Sequence, residues 1–164
     1  MRIGTHDPRA AHTSELLAAS GLRSDWSDRQ RLPVSARAST DPMEWADRLF
    51  PDLSPAAARL LAARDRLVSP LGLREASPES FAVHARTDRE VLLGSDDRHL
   101  DFRAAVRRNT DSVDVVTVVE SHHLLGRLYL VPVRLVHGVL VRRMLRRAAA
   151  VLDPPSTDRD GATR

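Results

Sequence analysis

The fold is decided by one stretch of sequence, LLGRLYLVPVRLVHGVLVRRMLRRAAAV (residues 124–151). Apolar side chains recur in it every three or four residues, as they do along one face of an α-helix. Arg127 and Arg134 interrupt the apolar run, so the stretch predicts a long helix packed on a core and no membrane span. Pro132 should kink or restart the helix. The core-facing stripe is predicted to be Leu130, Val133, His137, Leu140, Val141, Met144, Leu145 and Ala148.

The segments that precede this helix follow a different period. Polar and apolar residues alternate in them, which is typical of half-buried β-strands, and short polar turns separate them. The last segment is apolar on both faces around residues 113–119, so both of its faces should be covered. We predict four antiparallel strands, at residues 81–86, 90–95, 98–108 and 112–122.

Further upstream, the sequence predicts an edge strand and short helices. The strand lies within residues 25–36, where Pro33 suits the edge of a sheet. After it, a capping residue followed by proline appears twice, which is a helix-start signal. The predicted short helices are residues 14–19 before the strand and, after it, one beginning at Asp41-Pro42 and one from Ser54-Pro55 to about Val68.

These elements predict an α+β domain, a curved antiparallel β-sheet wrapped around the long C-terminal helix. The helix is the only predicted element able to cover the apolar face of the sheet, and such a sheet commonly encloses a cavity. Residues 24–152 would form the domain, residues 1–23 a lead-in segment and residues 153–164 a disordered tail. The residues expected to be buried are Trp45, Leu61, Phe81, Phe102 and Leu140.

The composition excludes several classes of function. The chain has no cysteine, which excludes disulfides and thiolate chemistry. All 25 cationic residues are arginine, which is typical of a GC-rich, for example actinobacterial, genome, and the net charge is only +3, so nucleic-acid binding is not expected. No secretory signal is recognisable, so a cytoplasmic location is expected. There is no glycine-rich dinucleotide loop, P-loop or nucleophile elbow, and we expect no cofactor.

Several stretches resemble an uncharacterised bacterial family, the domain of unknown function numbered 2867. They lie within residues 24–147, and the most characteristic are residues 96–103 and His122-His123 leading into residues 126–129 and His137. Others are Trp45-Ala46 with Leu49-Phe50, residues 64–73 and residues 90–94.

The predicted order of elements is also similar to the helix-grip architecture of the START-like and birch-pollen-allergen superfamily. Its members bind lipids, hormones or polyketides, and some are cyclases or dehydratases. The resemblance implies a ligand held between sheet and helix, although a fold does not settle a function.

Candidate site residues lie on the long helix and on two strands. His137 is central on the stripe that should face the sheet; it is either a ligand contact or a core histidine bonded to a neighbouring acid. His99, Asp101 and Arg103 share one face of a strand. If that face lines a cavity they supply an acid–base pair and a cation, and if it faces water they are its solvated side.

Two adjacent histidines, His122 and His123, stand at the junction of the last strand and the helix. Adjacent strand residues point to opposite faces, so at most one of them enters a cavity. No metal-binding spacing supports a zinc site from His99, His122 and His137, and we predict no metal. The predicted catalytic residues are His137, His99 and Asp101, and the predicted ligand contacts are Arg103, Tyr129, His122 and Phe102.

The leading functional hypothesis is a small apolar ligand-binding or polyketide-cyclase-like protein. The alternative is a non-catalytic partner-binding domain with a filled core. A homodimer is a further hypothesis, because Leu128, Leu135 and Val139 lie opposite the core stripe and would form an exposed apolar patch. Packing of the N-terminal segment over that patch is the competing explanation.

Overall fold

The computed structural model describes residues 14–50, 81–96 and 100–155, which form a five-stranded antiparallel sheet with helices packed on it. The predicted α+β class is therefore confirmed, with all five predicted strands and the long helix present. The predicted helix beginning at residue 54 lies outside the described residues. In chain order the elements are α1 (Glu15–Ala19), β1 (Trp26–Pro33), α2 (Pro42–Leu49), β2 (Ala82–Arg86), β3 (Glu90–Asp96), β4 (Leu100–Arg108), β5 (Ser112–Ser121) and α3 (Leu124–Leu152).

The strand order of the sheet is β1-β5-β4-β3-β2, and every neighbouring pair is antiparallel. β2 to β5 follow one another as hairpins. β1, in contrast, pairs with β5, a strand that lies far from it in the sequence. β1 is therefore an edge strand, as Pro33 predicted, and this proline is its last residue. A proline has no N–H to donate to a sheet ladder, so the end of an edge strand accommodates it without loss.

The helices begin where their capping residues predict. The Ser14 side chain accepts a hydrogen bond from the Leu17 N–H at the start of α1, and that of Asp41 accepts one from the Met43 N–H at the start of α2. α3 runs as one helix through Pro132, so the predicted restart does not occur. Pro132 is exposed, and the carbonyl that it leaves without a helix partner can therefore turn towards water.

Both faces of the sheet centre are covered. On one face, α2 and α3 enclose a core in which Trp45 and Leu145 are fully buried. On the other face, Leu17 of α1 packs against Leu92, Ala105, Val116 and Val118. The valines of β5 alternate between the two cores, which confirms that this strand is covered on both sides.

The predicted burial is correct at Trp45, whereas Phe81, Phe102 and Leu140 are only half-buried. Phe81 precedes β2 at the edge of the sheet. Leu140 lies to one side of the core-facing stripe of α3, whose centre is Leu145. Neither side chain is therefore enclosed. Leu61 lies outside the described residues. Within the described ranges, no helix is long and apolar enough to cross a membrane.

Candidate functional site

The edge strand β1 turns an unusual set of side chains towards α3. Because strand residues alternate in direction, Trp26, Asp28, Gln30 and Leu32 share the face that packs on the helix. Asp28 is only 4% exposed and Gln30 only 5%. Burying a carboxylate is costly unless hydrogen bonds compensate it. The hydrogen-bond partners of Asp28 and Gln30 therefore determine whether this buried carboxylate is stabilised between β1 and α3.

The Asp28 carboxylate is held by His137 of α3 and by Gln30. Nδ1 of His137 lies 3.0 Å from Oδ2 of Asp28, and Nε2 of Gln30 donates to both carboxylate oxygens at 3.0 and 3.1 Å. Burial by itself raises the pKa of Asp28, but the bonds from His137 and Gln30, the charge of His137 and the Arg29 N–H outweigh it. The pKa of Asp28 therefore lies below its ordinary value.

An ionised Asp28 fixes the tautomer of the imidazole. A carboxylate only accepts hydrogen bonds, so Nδ1 of His137 must carry a proton. In a neutral imidazole the lone pair is then on Nε2. Among the described residues, Nε2 has no hydrogen-bond partner, and the His137 side chain is 17% exposed. The pair can accept a proton at Nε2 or, once protonated, donate a hydrogen bond from it.

Close packing holds the imidazole in place. The Trp26 ring stands perpendicular to it, with the ring centroids 5.0 Å apart. The next helix residue is Gly138, where a Cβ atom would come within 2.9 Å of Nε2 of Gln30. The glycine therefore allows α3 to approach β1 closely enough for the Asp28–His137 bond to form.

An apolar wall adjoins this pair. Trp26, Val119 and Leu130 are buried together, and the half-buried Leu100 and Phe102 pack on them. The Phe102 ring meets the Phe81 ring edge-on at 5.5 Å, and Phe81 stacks on Phe50 at 4.6 Å. Phe102, a predicted ligand contact, thus lies on the same face of the sheet as His137.

Asp101, Arg103 and His122 lie on the opposite face of the sheet. Arg103 is two residues before Ala105, which packs against Leu17 of α1, whereas Phe102 points towards α3. The structure therefore does not bring Asp101 or Arg103 together with His137, because their face of β4 points away from α3. The sequence left open which way this face points, because strand alternation shows which residues share a face but not which face the helix covers.

On that opposite face, each of these groups is engaged with its neighbours. Nε2 of His122 lies 3.1 Å from Oδ2 of Asp101. The buried Arg103 pairs with Asp96 at 2.7 Å and donates to the Phe102 carbonyl at 2.9 Å. A Cβ atom at Gly94 would clash with the carbonyl oxygen of Phe102 and lie 2.7 Å from Cδ of Arg103, so the glycine allows the β4 backbone and the Arg103 side chain to lie close to β3. These contacts link β3, β4 and the end of β5.

Two further predicted site residues, His99 and Tyr129, have side chains outside the described residues. His99 is outside the described residues. Tyr129 belongs to α3, but its side chain is outside them. Asp28, Gln30 and Trp26 were not predicted as site residues. Their signal is the alternation Trp26-x-Asp28-x-Gln30, in which two polar residues share a strand face with a tryptophan.

The described histidine and carboxylate side chains can also be compared with a metal-binding cluster. Within residues 14–50, 81–96 and 100–155, no three histidine, aspartate or glutamate side chains are grouped so that they could hold a metal ion. The Asp28–His137 pair has Gln30 as its third polar member, and a neutral amide nitrogen is not a metal ligand. The Asp28–His137 pair itself can form hydrogen bonds and transfer a proton.

Comparison with known proteins gives one match. The family model described as "Protein of unknown function (DUF2867)" matches residues 22–144, which include Asp28, Gln30 and His137. No curated protein and no solved structure matches the chain.

Proposed function

The chain belongs to the DUF2867 family, and from this premise and its own geometry we propose that it binds a small, mostly apolar molecule bearing a carbonyl or hydroxyl group. The ligand would lie between the sheet and the first half of α3, beside His137. The proposal includes the helix-grip architecture, with a cavity between sheet and helix. The antiparallel sheet followed by a long C-terminal helix supports this part of it.

The observation that carries the proposal is the buried carboxylate of Asp28 bonded to His137. A histidine that only fills space gains nothing from a buried charge, whose desolvation is costly. A histidine that must present Nε2 in one orientation and accept a proton does gain from it, as in other acid–histidine pairs. The imidazole lies edge-on to Trp26, which packs with Val119 and Leu130 in an apolar wall, and an apolar wall with few polar groups is typical of ligand sites.

The same pair would support a cyclase-like reaction. Nε2 of His137 would take a proton from carbon next to the ligand carbonyl, and Asp28 would stabilise the resulting imidazolium. The enolate carbon would then attack a second carbonyl carbon of the same ligand, which forms the ring C–C bond and breaks the π bond of that carbonyl. The new alkoxide would take the proton back from Nε2, so no external oxidant or reductant is needed. His137 is then the predicted catalytic residue that the geometry supports, and Asp28 is its positioning residue.

The experiment is native mass spectrometry of the purified protein, combined with thermal shifts against a panel of aromatic ketones and naphthols. We expect a co-purifying compound, or a panel member that raises the melting temperature of the wild type. His137→Gln should lose that shift. His122→Gln is the matched control, because it removes a histidine from the opposite face. An unliganded mass and no shift with any compound would contradict the proposal.

A partner-binding domain with a filled core is the second candidate, and one observation favours it. Around the second half of α3, Val106, Val115 and Leu145 are fully buried in one continuous cluster with α2. A ligand would therefore be restricted to the first half of the helix. If a ligand-soaked structure shows that half filled by side chains as well, the partner-binding function is preferred.

A further inference from the structure

The outer face of α3 is apolar over its first half. Val131, Leu135 and Val139 follow one another at intervals of four residues and therefore form a single stripe on the helix surface. Leu135 is 69% exposed and Val139 is 71% exposed. Soluble domains seldom leave a contiguous stripe of this kind uncovered. Among the side chains of α3 that the structure describes, the exposed large aliphatic ones are Leu124, Val131, Leu135, Val136, Val139 and Val151.

The same helix face is strongly basic over its second half. Arg142 and Arg146 follow Val139 at intervals of three and four residues, so they extend its stripe, and Arg143 and Arg147 lie beside them. All four are exposed. Arg142 donates to Oε1 of Gln30, and none of the four forms an ion pair with a carboxylate of the described chain. From Leu124 to Arg147 the face is about 35 Å long at 1.5 Å per residue.

Residues 124–152 contain six arginines and no aspartate or glutamate. A second copy of the chain docking through this face would place arginine against arginine or against aliphatic side chains, with no helix carboxylate to compensate. The described part of the N-terminal segment does not cover the face either, because α1 packs on the opposite side of the sheet. Neither of these supplies negative charge to the arginines, and a molecule that does so must also accept aliphatic side chains.

We propose that the outer face of α3 docks the protein onto an anionic lipid bilayer. Leu135, Val139 and their aliphatic neighbours would enter the boundary between headgroups and acyl chains, and the arginines would bind lipid phosphates. A bilayer supplies an apolar layer beside a layer of negative charge, which matches the two halves of the face. A nucleic acid offers the negative charge without the apolar layer. The docking is peripheral and independent of the ligand site, since His137 faces β1.

The test is co-sedimentation of the full chain with unilamellar vesicles. We expect binding to vesicles of equal parts phosphatidylglycerol and phosphatidylcholine, no binding to phosphatidylcholine alone, and release at high salt. Arg143→Gln with Arg147→Gln should weaken binding roughly 25-fold, because each arginine at an anionic surface contributes about a factor of five. Leu135→Gln with Val139→Gln should weaken it about tenfold. These four side chains are exposed, so the variants should fold.

The matched control is Arg48→Gln with Arg89→Gln, which removes the same charge from exposed positions on α2 and on the turn between β2 and β3. This variant should bind as the wild type does, or within about twofold. Equal weakening by the control and by the α3 variants would refute the docking face. Failure of the wild type to bind anionic vesicles would also refute it. In that case, light scattering would show whether the face forms a dimer through Leu135 and Val139, and a DNA-binding assay would show whether the arginines bind nucleic acid.

Discussion

Replacing Asp28 with asparagine removes the charge of the buried pair and almost none of its volume. In the wild type, the carboxylate accepts one bond from His137 and two contacts from the single amide nitrogen of Gln30. The amide oxygen of the new side chain can still accept from Nδ1 of His137. Its amide nitrogen replaces Oδ1, so Nε2 of Gln30 keeps only its 3.1 Å contact to the remaining oxygen and loses the 3.0 Å contact, because two donors cannot bond to each other.

The expected loss of stability follows from these contacts. A hydrogen bond to a charged group is worth about 1.5–3 kcal/mol and a neutral one about 0.5–1.5 kcal/mol, so neutralising the acceptor costs about 1 kcal/mol at the His137 bond. The loss of one of the two Gln30 contacts, with the new amide nitrogen left facing Nε2 of Gln30, costs up to about another 1 kcal/mol. The saved desolvation of the charge offsets part of this. We expect Asp28→Asn to lower the free energy of unfolding by about 1–2 kcal/mol at pH 7.

The pH dependence of stability distinguishes an effect of the Asp28 charge from an effect of the side-chain shape. The pKa of Asp28 is lower in the folded protein than its ordinary value of 3.8, so its contribution is fully present above that value. It is lost as the pH falls through the folded pKa. The difference in the free energy of unfolding between wild type and Asp28→Asn should therefore shrink as the pH falls below about 4.

The control for this experiment is Asp47→Asn, an exposed position on α2, which should change stability by less than about 0.5 kcal/mol at every pH. If Asp28→Asn is as stable as the wild type at pH 7, the bonded carboxylate contributes no net stability. If its deficit stays the same at pH 3, the effect comes from shape and not from charge. Either result would refute the reasoning.

Three further outcomes are expected in urea unfolding. Leu145→Ala should cost about 2–5 kcal/mol because Leu145 is fully buried, whereas Leu135→Ala on the exposed face should change stability by less than about 0.5 kcal/mol. Gly138→Ala should fail to give the gain of about 1 kcal/mol that helix propensity predicts, since the new Cβ atom would lie 2.9 Å from Gln30; a full gain would contradict the close approach. Asp41→Ala should cost about 1 kcal/mol by removing the cap of α2, and no loss would show that the cap is dispensable.

Hydrophobic periodicity was sufficient to predict most of the described fold. Burial on one side imposes a period of two on strands and 3.6 on helices, and both are readable without tertiary contacts. The predicted strand at residues 98–108 appears as Leu100–Arg108, and the helix predicted at residues 124–151 appears as Leu124–Leu152. The continuity of α3 through Pro132 was not predicted, because it depends on the exposure of that turn.

The candidate site was predictable only on the helix side. His137 stands out because a polar residue interrupts an apolar stripe. Its partner Asp28 lies 109 positions earlier on a strand whose pairing with β5 leaves no local pattern. The sequence also did not determine whether Asp101 and Arg103 point towards α3 or towards the opposite side of the sheet. That depends on which side the five-residue helix α1 covers with Leu17. Periodicity encodes which residues share a face, and tertiary packing decides what that face meets.

The two halves of α3 are packed differently, and this bears on where function is located. The second half, with Val141 and Leu145, is fixed in one core by both the sheet and α2. The first half meets Trp26 and Val119 of the sheet without α2, and it contains Pro132 and Gly138, the two poorest helix formers. A helix segment with fewer buried contacts and lower intrinsic propensity opens at lower free energy. His137 lies within this segment and is held there by Asp28, so the bond between them does for the first half what core packing does for the second and keeps the helix on the sheet.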